Sequence, residues 1–163
     1  MNNETSPLFL PNLKTLDVTV LVFSGASLMC VASTIDPMRA ANRVSGSTLF
    51  TWRIVSLDGQ PTMTTCGLPI AVSGSFDTFK KGDMLLVIGG FGTSDIARTT
   101  FTANLRHAAH NYRMIGGIEA GSWLLGRAGL LSGRRATTHW EDMEEFTAAF
   151  PEADIRPDRY VID

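Results

Sequence analysis

Four apolar segments of the chain have the pattern of buried β-strands. They are rich in β-branched residues and lie at Leu16–Phe23, Phe50–Val55, Met84–Ile88 and Met114–Ile118. Met84–Ile88 contains no polar residue, which is typical of a strand covered on both faces. Weaker extended segments at Thr62–Cys66 and Ile70–Val72 predict a hairpin. Tyr160–Ile162 predicts a last strand.

Apolar residues at helical spacing follow most of these strands. The first helix carries Leu28, Val31, Ile35 and Met38 on one face. Pro37 predicts a break in this helix near Asp36, because proline lacks the N–H that a helix interior needs. Three more helices are predicted within 97–112, 123–128 and 143–150. Thr138 with Glu141 fits a capping box for the last one.

The alternation of strands and helices predicts the fold class. It indicates βαβ units that form a doubly wound α/β domain, with a mostly parallel sheet and helices on both faces. In such a sheet, ligands bind beyond the carboxyl ends of the strands. Three glycine-containing segments meet there: Ser24-Gly25, Gly89–Gly92 and Gly117–Gly121.

Length and charge narrow the class of protein. The 163 residues suit one domain, and 14 basic residues against 16 acidic ones leave no surplus with which this segment itself could bind nucleic acid. No apolar run approaches the roughly 20 residues of a membrane span. The polar N-terminus does not resemble a signal peptide, so we expect a cytoplasmic location.

Metal and cofactor chemistry find little support in the sequence. Cys30 and Cys66 have no C-x-x-C spacing, and we interpret them as free buried thiols. His107 and His110 lie three residues apart on a helix without a further ligand. The segment around Gly90 does not complete a dinucleotide motif. We therefore predict neither a metal nor a cofactor.

Glu119 lies in the most informative motif, Gly117-Ile118-Glu119-Ala120-Gly121. A strand, then G-x-E-x-G, then a helix has the shape of a nucleophile elbow, in which a sharp turn presents one side chain above the sheet. The alternative is that Glu119 merely begins a helix, where the macrodipole favours a carboxylate. His139 follows in Thr137-Thr138-His139-Trp140, and a lone histidine can equally be structural.

Together these motifs resemble a known family. The residues that carry the resemblance are Asp36–Asn42, Asp58-Gly59, Gly117–Leu125, Ala128–Leu131 and Arg135–Trp140. They are similar to the ThiJ/PfpI branch of the class I glutamine-amidotransferase-like superfamily, and more closely to the sensor domains of AraC-type transcriptional regulators. The resemblance implies a flavodoxin-like fold, a small-molecule effector and a homodimer. It also implies DNA binding only through a C-terminal pair of helix-turn-helix motifs, which this chain lacks.

Glu119 occupies the position that holds the nucleophilic cysteine in the enzymes of this superfamily. A carboxylate lacks the nucleophilicity of a thiolate toward acyl or carbonyl carbon. The sequence therefore predicts a non-catalytic domain. The alternatives are a ThiJ/PfpI-type hydrolase, hydratase or glyoxalase-like enzyme, and a purely structural interaction domain with a filled crevice.

A carboxylate at the floor of a pocket favours a cationic ligand. We expect Asp36 to be a second acid there. Phe91, Trp123 and Trp140 are candidate ring faces for an ammonium group, although core packing is the favoured interpretation of Trp123 and an equal alternative for the other two. His139 either orients Glu119 or touches the ligand. Backbone N–H groups near Gly90 and Ala120 are candidates to bind a ligand carboxylate. Independently, the resemblance implies small amines or amino-acid-like zwitterions, such as quaternary ammonium or arginine-like compounds.

The composition of the chain also predicts the domain boundaries. Residues 1–14 contain Pro7 and Pro11 and predict a flexible arm, whereas 15–163 form the sensor domain. Because the chain ends on a predicted strand with nothing to cover it, we expect a domain cut before its last elements. The absence of a basic patch then indicates that the DNA-binding part lies elsewhere in a longer protein.

Overall fold

A computed structural model describes residues 14–90, 92–93 and 99–163. In chain order the elements are β1 (Leu16–Val22), α1 (Leu28–Ser45), β2 (Phe50–Val55), β3 (Thr62–Met63), β4 (Pro69–Ile70), β5 (Gly82–Ile88), α2 (Thr99–Ala109), β6 (Tyr112–Ile118), α3 (Gly121–Arg127), β7 (Arg135–Ala136), α4 (Met143–Ala149) and β8 (Asp154–Ile155). Single 3-10 turns occur at Phe76–Thr78 and Trp140–Asp142. The predicted N-terminal arm, except Lys14, and Phe91 lie outside the described residues.

The central sheet has four parallel strands in the order β2-β1-β5-β6. Side chains of β5 alternate between its two faces, as a strand requires. Leu85 and Val87 pack into one apolar cluster, whereas Met84, Leu86 and Ile88 belong to another on the opposite face. The prediction that this strand is covered on both faces is confirmed.

Helices cover the two faces of the sheet. Val31 and Met38 of α1 pack against one face. Leu105 of α2 and Leu124 and Leu125 of α3 pack against the other. The predicted doubly wound architecture is thus confirmed, and it brings the carboxyl ends of β1, β5 and β6 to one edge of the sheet.

The predicted break in α1 is wrong. The helix runs from Leu28 to Ser45 with Pro37 inside it. Proline removes one backbone hydrogen bond, the one that the carbonyl of Ser33 would accept. Burial of Val31 before the proline and Met38 after it anchors both halves of the helix to the sheet, which offsets that loss.

The chain end also differs from the prediction. Tyr160–Ile162 is not a strand, and its side chains at Tyr160 and Ile162 are 74% and 52% exposed. Instead β7 pairs with β8 in parallel. The predicted hairpin is present but shorter than expected, since only Thr62–Met63 and Pro69–Ile70 pair, in antiparallel fashion. None of the helices in the described ranges is long and apolar enough to cross a membrane.

Candidate functional site

Glu119 lies on a strained turn between β6 and α3. Its φ is 55°, and it is the only non-glycine residue with positive φ in the ranges 14–90, 92–93 and 99–163. The turn is tight because α3 begins against β5: a Cβ on Gly121 would overlap the carbonyl oxygen of Val87. Side chains rarely adopt this backbone region. The turn therefore has the predicted elbow shape, and Glu119 precedes the helix instead of beginning it.

The Glu119 carboxylate lies between a thiol and an imidazole. Cys30 Sγ is 3.5 Å from Oε1 and donates to it. His139 Nε2 is 3.8 Å from Oε2. The Glu119 and His139 side chains are each 32% exposed, so a ligand can reach both. Two predicted site residues are therefore neighbours, and the structure adds Cys30.

His139 faces Glu119 through its Nε2 atom. Its Nδ1 accepts the backbone N–H of Glu141 at 3.4 Å. A neutral imidazole that accepts at Nδ1 carries its proton on Nε2, and Nε2 is the nitrogen nearest Glu119. His139 itself caps the turn at Trp140–Asp142, so the capping role predicted for Thr138 is wrong. Thr138 Oγ1 instead accepts from Ser122 Oγ at 2.8 Å.

Cys30 is the site residue that the sequence did not reveal. It lies in the first turn of α1, 89 residues from Glu119 in the chain. Burial raises the pKa of its thiol, and the negative charge of Glu119 raises it further. The thiol is therefore a neutral hydrogen-bond donor near pH 7, and it is poorly suited to act as a nucleophile.

The pH dependence of Cys30 alkylation tests this arrangement. In a Cys66→Ser background, we expect iodoacetamide to react with Cys30 in a pH profile whose midpoint lies above that of an ordinary cysteine. Glu119→Gln removes the neighbouring charge, so the midpoint falls and the rate at neutral pH rises. Mass spectrometry of timed samples measures both rates.

Glu141→Gln is the matched control for the alkylation experiment. The Glu141 carboxylate lies 3.7 Å from His139 Nδ1, on the imidazole nitrogen that faces away from Glu119. The same charge is lost in both variants, but only Glu119 touches the thiol. Identical profiles for the parent and Glu119→Gln would contradict the assigned contact.

A cleft of about 220 Å³ adjoins the elbow. It is lined by Gly90, Gly92, Ala120, Trp123, Arg127, Asp142 and Glu145. The Trp123 indole N–H donates to Asp142 Oδ2 at 3.0 Å. The Arg127 guanidinium carbon lies 5.9 Å from the centre of the Trp123 ring. The cleft thus combines one aromatic face with charges of both signs.

Asp36 lies outside this arrangement. Its side chain is 63% exposed and holds Arg39 through two hydrogen bonds of 2.6 and 3.1 Å. The hydrogen bond from Arg39 lowers the pKa of Asp36, which is opposite to the effect of a nearby second carboxylate. In the described residues Asp36 is thus paired with Arg39 on α1, and its hydrogen bonds and ion pair do not involve Glu119, Cys30 or His139.

The other predicted site residues, Gly90, Ala120 and Trp140, differ in their positions relative to the cleft. The Gly90 amide already donates to the buried Thr93 hydroxyl at 2.7 Å, so it is not open to a ligand carboxylate. Ala120 lines the cleft, as expected for a site residue. Trp140 is 75% exposed, and its ring centre is 5.6 Å from that of His139. It therefore lies at the rim of the site.

The described residues hold no cluster of three or more side chains that is suited to a metal ion. Among the described residues, the Glu119 carboxylate contacts the Cys30 thiol and the His139 imidazole. The Cys30 thiol donates a hydrogen bond to one carboxylate oxygen, and His139 Nε2 faces the other. The arrangement holds a carboxylate in place and leaves it accessible.

The parallel sheet and the elbow define a class of α/β domains that present one side chain at the carboxyl edge of the sheet. The chain belongs to the DJ-1/PfpI family, whose model matches residues 17–162.

Curated relatives of this chain are transcriptional regulators. The HTH-type regulator CdhR of Pseudomonas aeruginosa is 35% identical over 147 residues, which are 90% of this chain and 44% of CdhR. GbdR of the same species is 33% identical over 143 residues, 88% of this chain and 39% of GbdR. The chain therefore spans less than half the length of these regulators. The resemblance to AraC-type regulators is confirmed.

A solved structure agrees with these relatives. The AraC family transcriptional regulator from Pseudomonas putida superposes with a TM-score of 0.78 and 26% identity, over 91% of this chain and 80% of that one. A shorter match, 34% identical over 88 residues and 53% of this chain, is to an isonitrile hydratase of Pseudomonas putida. The comparisons thus favour the regulators over the enzymes.

Proposed function

We propose that this domain senses a small cationic effector and has no catalytic role, as part of an AraC-type transcriptional regulator. The observation that carries the proposal is the carboxylate of Glu119 on the elbow turn, held by Cys30 and His139. An elbow that presents a carboxylate beside an open cleft is suited to attract positive charge. The ring of Trp123 and the acids Asp142 and Glu145 line the same cleft.

The enzyme alternative receives less support from the site. A ThiJ/PfpI-type hydrolase, hydratase or glyoxalase-like activity needs a nucleophile at the elbow, and this chain has Glu119 there. The nearest thiol, Cys30, lies on α1 and its pKa is raised. The partial similarity to an isonitrile hydratase is the reason to test this alternative. The alkylation profile does so, because a nucleophilic Cys30 would not show the raised midpoint.

We propose a small amine or amino-acid-like zwitterion as the effector, of the quaternary ammonium or arginine-like type. The effector acts by binding one of two arrangements of the regulator more tightly than the other. Homodimer formation, a cytoplasmic location and DNA binding through a separate helix-turn-helix domain belong to the same proposal. The relatives named as HTH-type regulators support it.

Titration calorimetry with glycine betaine and with arginine tests the proposed function. We expect at least one of them to bind the wild-type chain, and Glu119→Gln to bind it about 10- to 100-fold more weakly, because one charged partner of the ligand is lost. Glu144→Gln, on the exposed surface of α4, is the control with the same loss of charge. Equal affinity in wild type and Glu119→Gln would contradict the proposal.

A further inference from the structure

We infer that Arg127 binds the carboxylate of a zwitterionic effector whose cationic group lies at Glu119. The inference rests on the proposed function and names the second half of the same site. Its basis is that the cleft carries charges of both signs that do not pair with each other. Arg127, Asp142 and Glu145 all line the cleft. Yet within the described ranges no carboxylate lies within 4.0 Å of the Arg127 guanidinium.

The position of the guanidinium follows from the geometry of α3. Arg127 is the last residue of this helix, and Trp123 precedes it by four positions, on the same face. Helical side chains lean toward the N-terminus of their helix, and here the guanidinium carbon lies 5.9 Å from the Trp123 ring centre. The side chain therefore reaches back along α3, and the cleft that it lines extends to Ala120, the residue next to Glu119 in the chain.

Arg127 retains its capacity to bind an anion. Stacking on an aromatic face leaves the N–H groups at the edge of a guanidinium free, and these groups match a carboxylate. The two acids of the cleft differ in their contacts. Asp142 accepts the indole N–H of Trp123 at 3.0 Å, whereas Glu145 lies exposed at the rim.

One of the two backbone groups expected to bind a ligand carboxylate, the Gly90 amide, is already occupied. The amide of Gly90 donates to Thr93 Oγ1, and Thr93 is fully buried. A ligand carboxylate at this point would have to displace a buried hydroxyl from its hydrogen bond, which is unfavourable. Arg127 offers the same ligand group a positive charge at the mouth of the same cleft.

Calorimetry with matched ligand pairs separates the two halves of the site. Glycine betaine and choline share a quaternary ammonium group, but only betaine has a carboxylate; arginine and agmatine form the same kind of pair. For the pair that binds, we expect wild type to prefer the carboxylated member by about tenfold or more. Arg127→Gln should abolish this preference and leave the affinity for the other member unchanged. Glu119→Gln should weaken both members.

The controls distinguish recognition from folding. Arg43→Gln, in the last turn of α1, changes the net charge equally and should keep the preference. Arg127→Lys keeps the charge without the planar fork and should keep part of it. Equal weakening of both members by Arg127→Gln, or an unchanged preference, would overturn the inference even if Glu119→Gln behaves as expected. If neither pair binds wild type, or Glu119→Gln has no effect, the proposed function itself fails.

Discussion

Replacing Gly121 by alanine is expected to lower the free energy of unfolding by about 3 kcal/mol or more. The new Cβ would lie 2.9 Å from the carbonyl carbon of Val87 and would overlap its oxygen. Val87 is in the middle of the parallel sheet, bonded on both sides, so its backbone cannot move away. Overpacking against fixed backbone atoms costs more than overpacking against flexible side chains. Urea denaturation followed by circular dichroism measures the loss.

Gly116→Ala is the matched control on the adjacent strand, β6. Its Cβ would meet only the end of the Leu86 side chain, at 3.0 Å, and that methyl group can shift. Alanine also restricts the unfolded chain more than glycine does, so we expect a change within about 1 kcal/mol of wild type. If Gly121→Ala were as stable as Gly116→Ala, the close approach of α3 to β5 would be refuted.

Phe146→Ala is expected to destabilise the protein by about 3 to 5 kcal/mol, the usual cost of removing a fully buried aromatic side chain. Phe146 is completely buried, and its ring centre lies 5.1 Å from that of Trp123 and 4.9 Å from that of Phe150. These three rings join α4 to α3. Loss of the Phe146 ring should also disturb the segment Trp140–Asp142 and hence the position of His139.

Two measurements check the Phe146 prediction. Urea denaturation gives the change in stability, and the tryptophan fluorescence spectrum, to which Trp52 and Trp140 also contribute, reports the change around Trp123. Thr147→Ala, at an exposed position on the same helix, should change the free energy of unfolding by no more than about 0.5 kcal/mol. A loss below about 1 kcal/mol in Phe146→Ala would show that the rings do not hold α4 in place.

The sheet could be predicted because its strands are strongly patterned. The apolar run at Met84–Ile88 can be satisfied only by burial on both faces, and that in turn requires helices on both sides. The last elements could not be predicted in this way. Asp154–Ile155 is a two-residue strand without a pattern, whereas Tyr160–Ile162 has strand-like composition but remains exposed.

Pro37 illustrates where a local rule fails. The rule considers the lost hydrogen bond and the residues next to the proline in the sequence, and it leaves out the tertiary contacts of the helix. In the fold, the buried side chains of Val31 and Met38 stabilise α1 on both sides of the proline, and this tertiary term exceeds the local cost. The expectation for Asp36 assumes the same break, since it places this residue near a broken helix.

The candidate site was predictable only as far as one motif extended. Glu119 and His139 belong to segments with a recognisable order along the chain, and the structure brings them to 3.8 Å of each other. Cys30 touches Glu119 from a helix on another part of the sheet. No spacing in the sequence predicts such a contact, because the contact depends on how α1 crosses the sheet. Arg127 likewise acquires its proposed role only through the direction of its side chain over Trp123.

The positive φ of Glu119 has a consequence for how this domain can diversify. Two strands, a helix and the glycines between them hold the turn, so the direction in which residue 119 projects is set by the scaffold and not by the residue. Any side chain at this position lies at the same point above the sheet. The direction in which the side chain points is therefore independent of its chemical nature. A substitution at this position changes the chemical group that the turn presents, while the surrounding architecture stays as it is.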